Sequence, residues 1–259
     1  MPSWLALGFQ DSGSFSMSEI FCLHDYIMVI LLLVILLVFY VMVLLVSSSI
    51  FYKYLVEGTL IETIWSIIPS FLLVVLVVPS MKALYSMEDV NSPYLTVKVV
   101  GHQWYWSYIL SFLHNRVYSI GSSCLKFFMF DSIMNNDSVS YPRLLSCSQS
   151  LVIPVQATTR FIISSTDVIH AFSLPALGLK VDALPGRVSQ LYVTPTRVGL
   201  YFGQCSEICG SNHSFMPIEV CVSQPVDFNY FCGSNFLDTI SSFVDISTFK
   251  YSSYTLFIL

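Results

Sequence analysis

From Gly203 to Met216 the chain reads Gly-Gln-Cys-Ser-Glu-Ile-Cys-Gly-Ser-Asn-His-Ser-Phe-Met, so Cys205, Cys209, His213 and Met216 fall within twelve positions. Soft thiolate and thioether donors suit Cu(I), and imidazole suits copper in both oxidation states, so this set reads as a copper electron-transfer site. One cysteine with two histidines and a methionine would describe a mononuclear centre. The two cysteines here can instead bridge two copper ions, which spreads a transferred electron over both metals and limits the change of geometry on reduction. Each copper then needs an imidazole. His170, ending the β-prone run Thr166–His170, is the second candidate. Three other readings stay open on these residues. A Cys205–Cys209 disulfide is geometrically allowed but needs nothing from His213 or Met216. A zinc site usually shows tighter Cys-x-x-Cys pairs and no methionine. Buried free thiols are the third. The remaining cysteines, Cys22, Cys124, Cys147, Cys221 and Cys232, show no metal spacing and read as small apolar residues.

Such donors must be held by a scaffold. Gly203, Gly210, Ser211 and Asn212 favour a loop over a continuous helix, and a loop can wrap its side chains around a centre. Around it run short β-prone segments, Tyr94–Val100, Leu151–Val155, Arg160–Ser164, Ser189–Thr194 and Gly199–Gly203, separated by turn signals such as Gly121-Ser122 and Leu184-Pro185-Gly186. The pattern predicts an all-β sandwich or barrel. There is no internal repeat, no Gly-rich phosphate loop and no haem-attachment Cys-x-x-Cys-His in the chain.

The first third has a different texture. Of the 259 residues, 55% are hydrophobic and 10% charged, and the mean hydropathy is +0.71, which is more apolar than a soluble globular chain. Ile27–Val46 and Thr63–Met81 are uncharged apolar stretches, each near the ~20 residues that cross a bilayer core as a helix. Pro69 and Pro79 are tolerable inside such a span. A short polar link, Ser47–Glu62, makes the two an antiparallel hairpin, and a pair of buried core helices is the plainer alternative. Residues 1–20 match neither a secretory signal nor an Arg-rich transit peptide. The expected organisation is an N-terminal segment over 1–26, a transmembrane helical hairpin over 27–82, an all-β copper domain over 83–225 and an extension over 226–259. The Phe, Ser and Tyr of that extension suit packing better than disorder.

On these motifs the chain resembles subunit II of cytochrome c oxidases. The likeness covers Leu7-Gly8-Phe9-Gln10-Asp11, both spans, Gly101-His102-Gln103-Trp104-Tyr105-Trp106-Ser107-Tyr108 and Ser164–Ile218, and omits Ile109 to about Ser150 and the tail. The resemblance implies a cupredoxin-like domain holding the dinuclear copper centre called CuA. Its ligands would be His170, Cys205, Cys209, His213, Met216 and the backbone carbonyl of Glu207. The Glu207 side chain would reach a Mg²⁺ shared with subunit I, where a solvated loop carboxylate is the bland alternative. Trp104 would be where electrons arrive from cytochrome c, against a core-packing role. Strand alternation puts Trp104 and Trp106 on one side and Tyr105 on the other. Glu62 would mark the mouth of a proton path, or simply sit favourably at a helix N-terminus.

The implied partners are cytochrome c, subunit I, the other subunits of the complex and membrane lipid; no nucleic acid is expected. The implied location is the mitochondrial inner membrane, multi-pass, with the copper domain in the intermembrane space; a bacterial plasma membrane is the second choice. The chain's own chemistry would be outer-sphere electron transfer, with oxygen reduced in subunit I and protons pumped. A quinol-oxidase subunit II would lack the copper ligands, and a copper-delivery protein would not need Trp104 or Glu62. One departure stands out. Ile109, Leu110 and Ser111, and later Ser146, Ser148 and Ser150, stand where the family carries mostly charged residues, many of them acidic. Between Ala83 and Gln224 eight acidic residues balance eight basic ones, leaving Asp131 and Asp167 as local contacts for a cationic partner.

Overall fold

The computed structural model describes residues 8–49, 52–54, 56–88, 92–114, 124–136 and 142–232, with backbone only for 112–114 and 124–127. The Gly121-Ser122 turn, residues 1–7 and the extension beyond Cys232 lie outside the described residues. Helix α1 spans Phe15–Ser47 and α2 spans Thr59–Glu88. Both exceed the apolar stretches that announce them. At 1.5 Å per residue the 33 residues of α1 reach about 50 Å, well beyond a bilayer core of ~30 Å. Glu19, His24 and Asp25 therefore do not start the helix late. They sit on its first turns, outside the apolar stretch. Likewise the expected boundary at 82/83 falls inside α2, which runs on to Glu88.

Ser14 caps α1 by accepting from the Met17 amide at 3.1 Å, as hydroxyl residues do for the orphan amides of a first turn. Lys82 near the end of α2 lies 3.8 Å from Glu19 near the start of α1, so the helices run antiparallel. Apart from a partly buried stripe on each helix (Leu23, Ile27, Ile30 and Val34 on α1; Leu72, Val75, Leu76 and Ala83 on α2), their apolar side chains are exposed, as expected of helices surrounded by lipid or other subunits. Near the start of α1 the chain is welded to the β domain. Gly13 donates to the Ala176 carbonyl at 2.7 Å and accepts from the Thr196 amide at 2.8 Å, while Ser14 Oγ donates to the Leu177 carbonyl. Gly178, at φ 69°, leaves room for the Met17 backbone against it.

Among the described residues ten strands follow: β1 Leu95–His102, β2 Tyr105–His114, β3 Cys124–Ser132, β4 Leu151–Pro154, β5 Thr159–Ser165, β6 His170–Leu174, β7 Leu179–Ala183, β8 Ser189–Val193, β9 Gly199–Gln204 and β10 Pro217–Ser223. They form a five-stranded sheet ordered β3-β2-β1-β5-β8, a three-stranded sheet ordered β4-β10-β9 and a β6-β7 hairpin. In β1 and β5 buried residues alternate with partly exposed ones, the period of a sheet with one dry face. The dry faces meet in one core in which Val97, Val99, Trp106, Tyr108, Phe161 and Ile163 face Leu151, Ile153, Ile218, Val220 and Val222. Fully burying a side chain of this size contributes roughly 1.5–3 kcal/mol. Residues 225–232 are helical and continue the core past the expected boundary at 225: Phe228 is buried in it and Phe231 meets Phe128 edge-on at 6.1 Å.

All five predicted β-prone segments are strands, and the membrane-hairpin-plus-sandwich architecture is the one observed. One expectation needs correcting. His170 opens β6 rather than ending a strand; residues 166–168 are a bend and 169 is irregular. That hairpin lies against β9 at very short range. A Cβ on Gly203 would sit 1.9 Å from the Ser173 carbonyl oxygen, so only glycine fits. Gly203→Ala is expected to cost about 1–3 kcal/mol or more and to part β6 from β9. Thermal unfolding and copper uptake of the full chain in detergent check it; unchanged behaviour in both would show that the contact is not needed.

Candidate metal centre

Three separate segments supply the donors. β6 brings His170, the loop after β9 brings Cys205 and Cys209, and a short 3-10 turn before β10 brings His213 and then Met216. The ligand atoms of His170, Cys205 and Cys209 all lie within 4.8 Å of one another. Cys205 Sγ stands 4.0 Å from His170 Nδ1, 4.0 Å from Cys209 Sγ and 3.3 Å from the Glu207 carbonyl oxygen. Cys209 Sγ stands 3.5 Å from His213 Nδ1 and 3.4 Å from Met216 Sδ. Every donor named from the sequence is therefore in the cluster. At 4.0 Å the two sulfurs are unbonded, and both are free thiols.

The cluster is nearly dry: His170, Cys205, Cys209 and Met216 are all buried. Burial alone pushes the Cys205 thiol up, but contacts with the His170 ring, the backbone at Ala171 and Glu207 and the His213 ring outweigh it and hold it low. Burial and the adjacent Cys205 charge push the Cys209 thiol up. Two like charges in one pocket oppose each other, so the pair resists ionising at both sulfurs. A bound cation would favour thiolate at both. Soft sulfur, two imidazoles and an inward backbone carbonyl fit copper, and the His, Cys, Cys core of the cluster is a copper-type donor set.

Asp167, expected as a contact for a cationic partner, is an exposed residue whose carboxylate also serves the cluster. Oδ1 accepts from His170 Nε2 at 2.9 Å, the Val168 amide at 2.6 Å and Ser165 Oγ at 3.1 Å, and Oδ2 accepts from the Gln103 amide at 2.7 Å. Burial raises this carboxyl, but these bonds, that of His170 foremost, outweigh it and hold it below its ordinary range. Asp167 thus fixes the His170 ring with Nδ1 toward the sulfurs, as partners of metal-binding histidines generally do. The sequence signal for it was a Ser-Ser-Thr-Asp turn three residues before the histidine. The other expected contact, Asp131, is exposed, though its Oδ1 accepts from Ser107 Oγ at 2.6 Å.

The two indoles reach the same loop. Trp104, half-buried, donates from Nε1 to the Cys209 carbonyl at 3.3 Å, alongside Gln103 Nε2 at 2.9 Å. Trp106, fully buried, donates to the Met216 carbonyl at 3.3 Å. Trp104 also lies on Gly210, where an added Cβ would come within 3.1 Å of its ring. Trp104 lies in the turn before β2 rather than in the strand, so the alternation expected from the sequence does not apply to it. The Glu207 side chain is exposed on the loop. Glu62 is not at this site. It sits exposed in the first turn of α2, at the far end of the hairpin from the β domain.

The family described as the periplasmic domain of cytochrome C oxidase subunit II matches residues 95–223, and the one described as its transmembrane domain matches residues 2–83. "Cytochrome c oxidase subunit 2" of Branchiostoma floridae is 42% identical over 217 residues, covering 83% of this chain and 89% of the relative. Its counterpart in Branchiostoma lanceolatum is also 42% identical, over 83% of this chain and 86% of the relative. Among solved structures, the crystal structure of the periplasmic domain of subunit II of cytochrome oxidase of Bradyrhizobium japonicum is 38% identical, covers 58% of this chain and 99% of that one, and has a TM-score of 0.49.

Removing the donors one at a time separates their roles. Cys205→Ser or Cys209→Ser is expected to abolish binding of a copper pair, because a hydroxyl stays protonated and hard where a thiolate is needed. Met216→Leu is expected to keep the copper and change only its spectrum and potential. Copper content per chain and optical absorption check this; a normal copper complement in either serine variant would refute the assignment.

Proposed function

Because the chain belongs to the cytochrome c oxidase subunit II family, we propose that this membrane subunit of a haem-copper oxidase takes electrons from reduced cytochrome c at a dinuclear copper centre, CuA, and hands them to haem in subunit I. There oxygen would be reduced to water with proton pumping. The observation that carries the reading is the convergence of His170, Cys205 and Cys209, with His213 and Met216 at 3.5 and 3.4 Å from the Cys209 sulfur.

Cys205 and Cys209 would supply two bridging thiolates, His170 and His213 one imidazole each, and Met216 and the Glu207 carbonyl the weaker contacts. When bound, the copper pair would supply a one-electron relay; no general acid or base is required at it. The protein's contribution is to fix the donors and keep water out. Asp167 holds His170, Trp106 holds the Met216 backbone, and the near-complete burial of His170 and Met216 excludes solvent. The donors are thereby placed before an electron arrives, so little rearrangement is asked of the chain.

Trp104 is the proposed point where electrons arrive. It is partly exposed, packs on the core and bonds the carbonyl of a ligand residue, so packing and conduction are compatible. The exposed Glu207 carboxyl is proposed to reach a Mg²⁺ completed by subunit I, a hard ion suited to one carboxylate and water. Glu62 is proposed at the mouth of a proton path; its place in the first turn of α2 also suits the helix dipole. The reading puts the chain in the mitochondrial inner membrane with the copper domain in the intermembrane space.

Trp104→Ala is expected to leave copper content unchanged while slowing reduction by cytochrome c by orders of magnitude. Stopped-flow reduction checks it, and an unchanged rate would return Trp104 to a packing role. A salt series gives a second test. With acidic and basic residues balanced across the domain and Asp167 engaged with His170, this chain offers little field to steer a cation. Mutating Asp131 to Asn in the assembled oxidase is expected to leave the salt dependence of association nearly unchanged, since an exposed pair contributes little. A clear loss of salt dependence would show that this chain steers cytochrome c itself.

A further inference from the structure

Glu219 is a buried acidic side chain on β10, three residues past Met216, and the centre itself has no use for it. Its two oxygens are both engaged. Oε2 accepts from the Cys147 amide at 2.7 Å and Oε1 from Ser150 Oγ at 2.7 Å. Cys147 and Ser150 belong to residues 142–150, a strap that leads into β4. On its other side the strap is tied to the end of β3: the Ser148 amide donates to the Ile133 carbonyl at 2.8 Å, the Asn135 amide to the Ser146 carbonyl at 2.9 Å, and Ser132 Oγ to the Gln149 carbonyl at 2.8 Å. β3 is in the five-stranded sheet and β10 in the three-stranded one. Glu219 thus pins the strap to β10, beside the β4 strand into which the strap runs.

The pin acts next to a ligand. The Cys147 thiol, itself buried, lies 3.6 Å from the Pro217 carbonyl oxygen, one residue after Met216. The preceding carbonyl, that of Met216, accepts from Trp106 in β2 at 3.3 Å. The backbone that carries the thioether is therefore gripped from β2 on one side and from the strap on the other. Leaving the Cys147 amide without an acceptor in this buried place would be costly, so loss of Glu219 is relieved by movement of the strap and of Pro217 with it. A long, weak thioether contact is the element of such a centre that most readily tunes its potential.

We propose that Glu219 is a positioning residue for Met216: through Cys147, Ser150 and the strap it sets where the thioether sits against the Cys209 sulfur. The inference rests on the copper reading for its spectroscopic effect and on this chain's geometry for its cause.

Glu219→Val and the milder Glu219→Gln and Ser150→Ala are made in the assembled oxidase, alone and in a Met216→Leu background. Copper content is expected to stay whole. The potential and the optical and EPR signals of the copper are expected to shift in the direction of Met216→Leu, most for Val and least for Ser150→Ala. Added to Met216→Leu, the same changes are expected to do nothing further, which is the coupling expected of residues acting through one group. An equal shift in both backgrounds, or none in either, overturns the proposal. If the unmutated oxidase lacks a dinuclear copper signal, the functional reading falls. The positioning role is then read from the methyl ¹³C resonance of Met216 in the metal-free full chain, which Glu219→Val must move and Glu219→Gln must move less; a resonance that stays put overturns it.

Discussion

β6 and β9 touch backbone to backbone at Ser173 and Gly203, and the donors are placed from that contact. Without a side chain at Gly203 the two strands close to a separation that no other residue would permit. β6 then starts with His170 beside the point where β9 ends and the cysteine loop begins, and the Ser206 amide bonds the Ala171 carbonyl across the junction at 3.1 Å. A histidine and two cysteines 35 and 39 positions later become neighbours because two short strands of different sheets pack closely together. The metal is given a site whose geometry the chain has already fixed.

Electrostatics finishes what packing begins. In the pocket Cys205 and Cys209 resist ionising together, while Asp167, held low by its donors, pins the far side of the His170 ring. The carboxylate of Asp167 also sets the orientation of the His170 ring from outside the cluster. Such an arrangement suits an outer-sphere relay, because donors that are placed in advance need not move when the charge changes. The indole of Trp104, bonded to the Cys209 carbonyl, adds rigidity where the loop meets solvent, and the buried indole of Trp106, bonded to the Met216 carbonyl, does so from the core.

Much of this was legible in the chain. The ligand set was readable because its donors are chemically rare together, and the hairpin because ~20 apolar residues in a row have few other uses. Strands with one dry face, such as β1 and β5, announced themselves by composition and turns. β6 did not, since all five of its residues are buried and no alternation survives. The helices run past the apolar stretches because charge marks the edge of the lipid, whereas a helix continues as long as its hydrogen bonds and Ser14 cap allow. Asp167 looked like a surface carboxylate, and Glu219 like one more charge. Asp167 has local partners in Ser165 and Val168, but Gln103 lies 64 positions away, and the partners of Glu219 lie 72 and 69 positions away, where no local pattern reaches.

The central claim is that the two thiolates hold two copper ions as one electronic unit. The most direct measurement is the EPR spectrum of the oxidised, purified oxidase containing this chain, recorded with isotopically pure copper. The account predicts a hyperfine pattern from one unpaired electron shared equally by two copper nuclei. A pattern from a single copper, or none attributable to this chain, would contradict it.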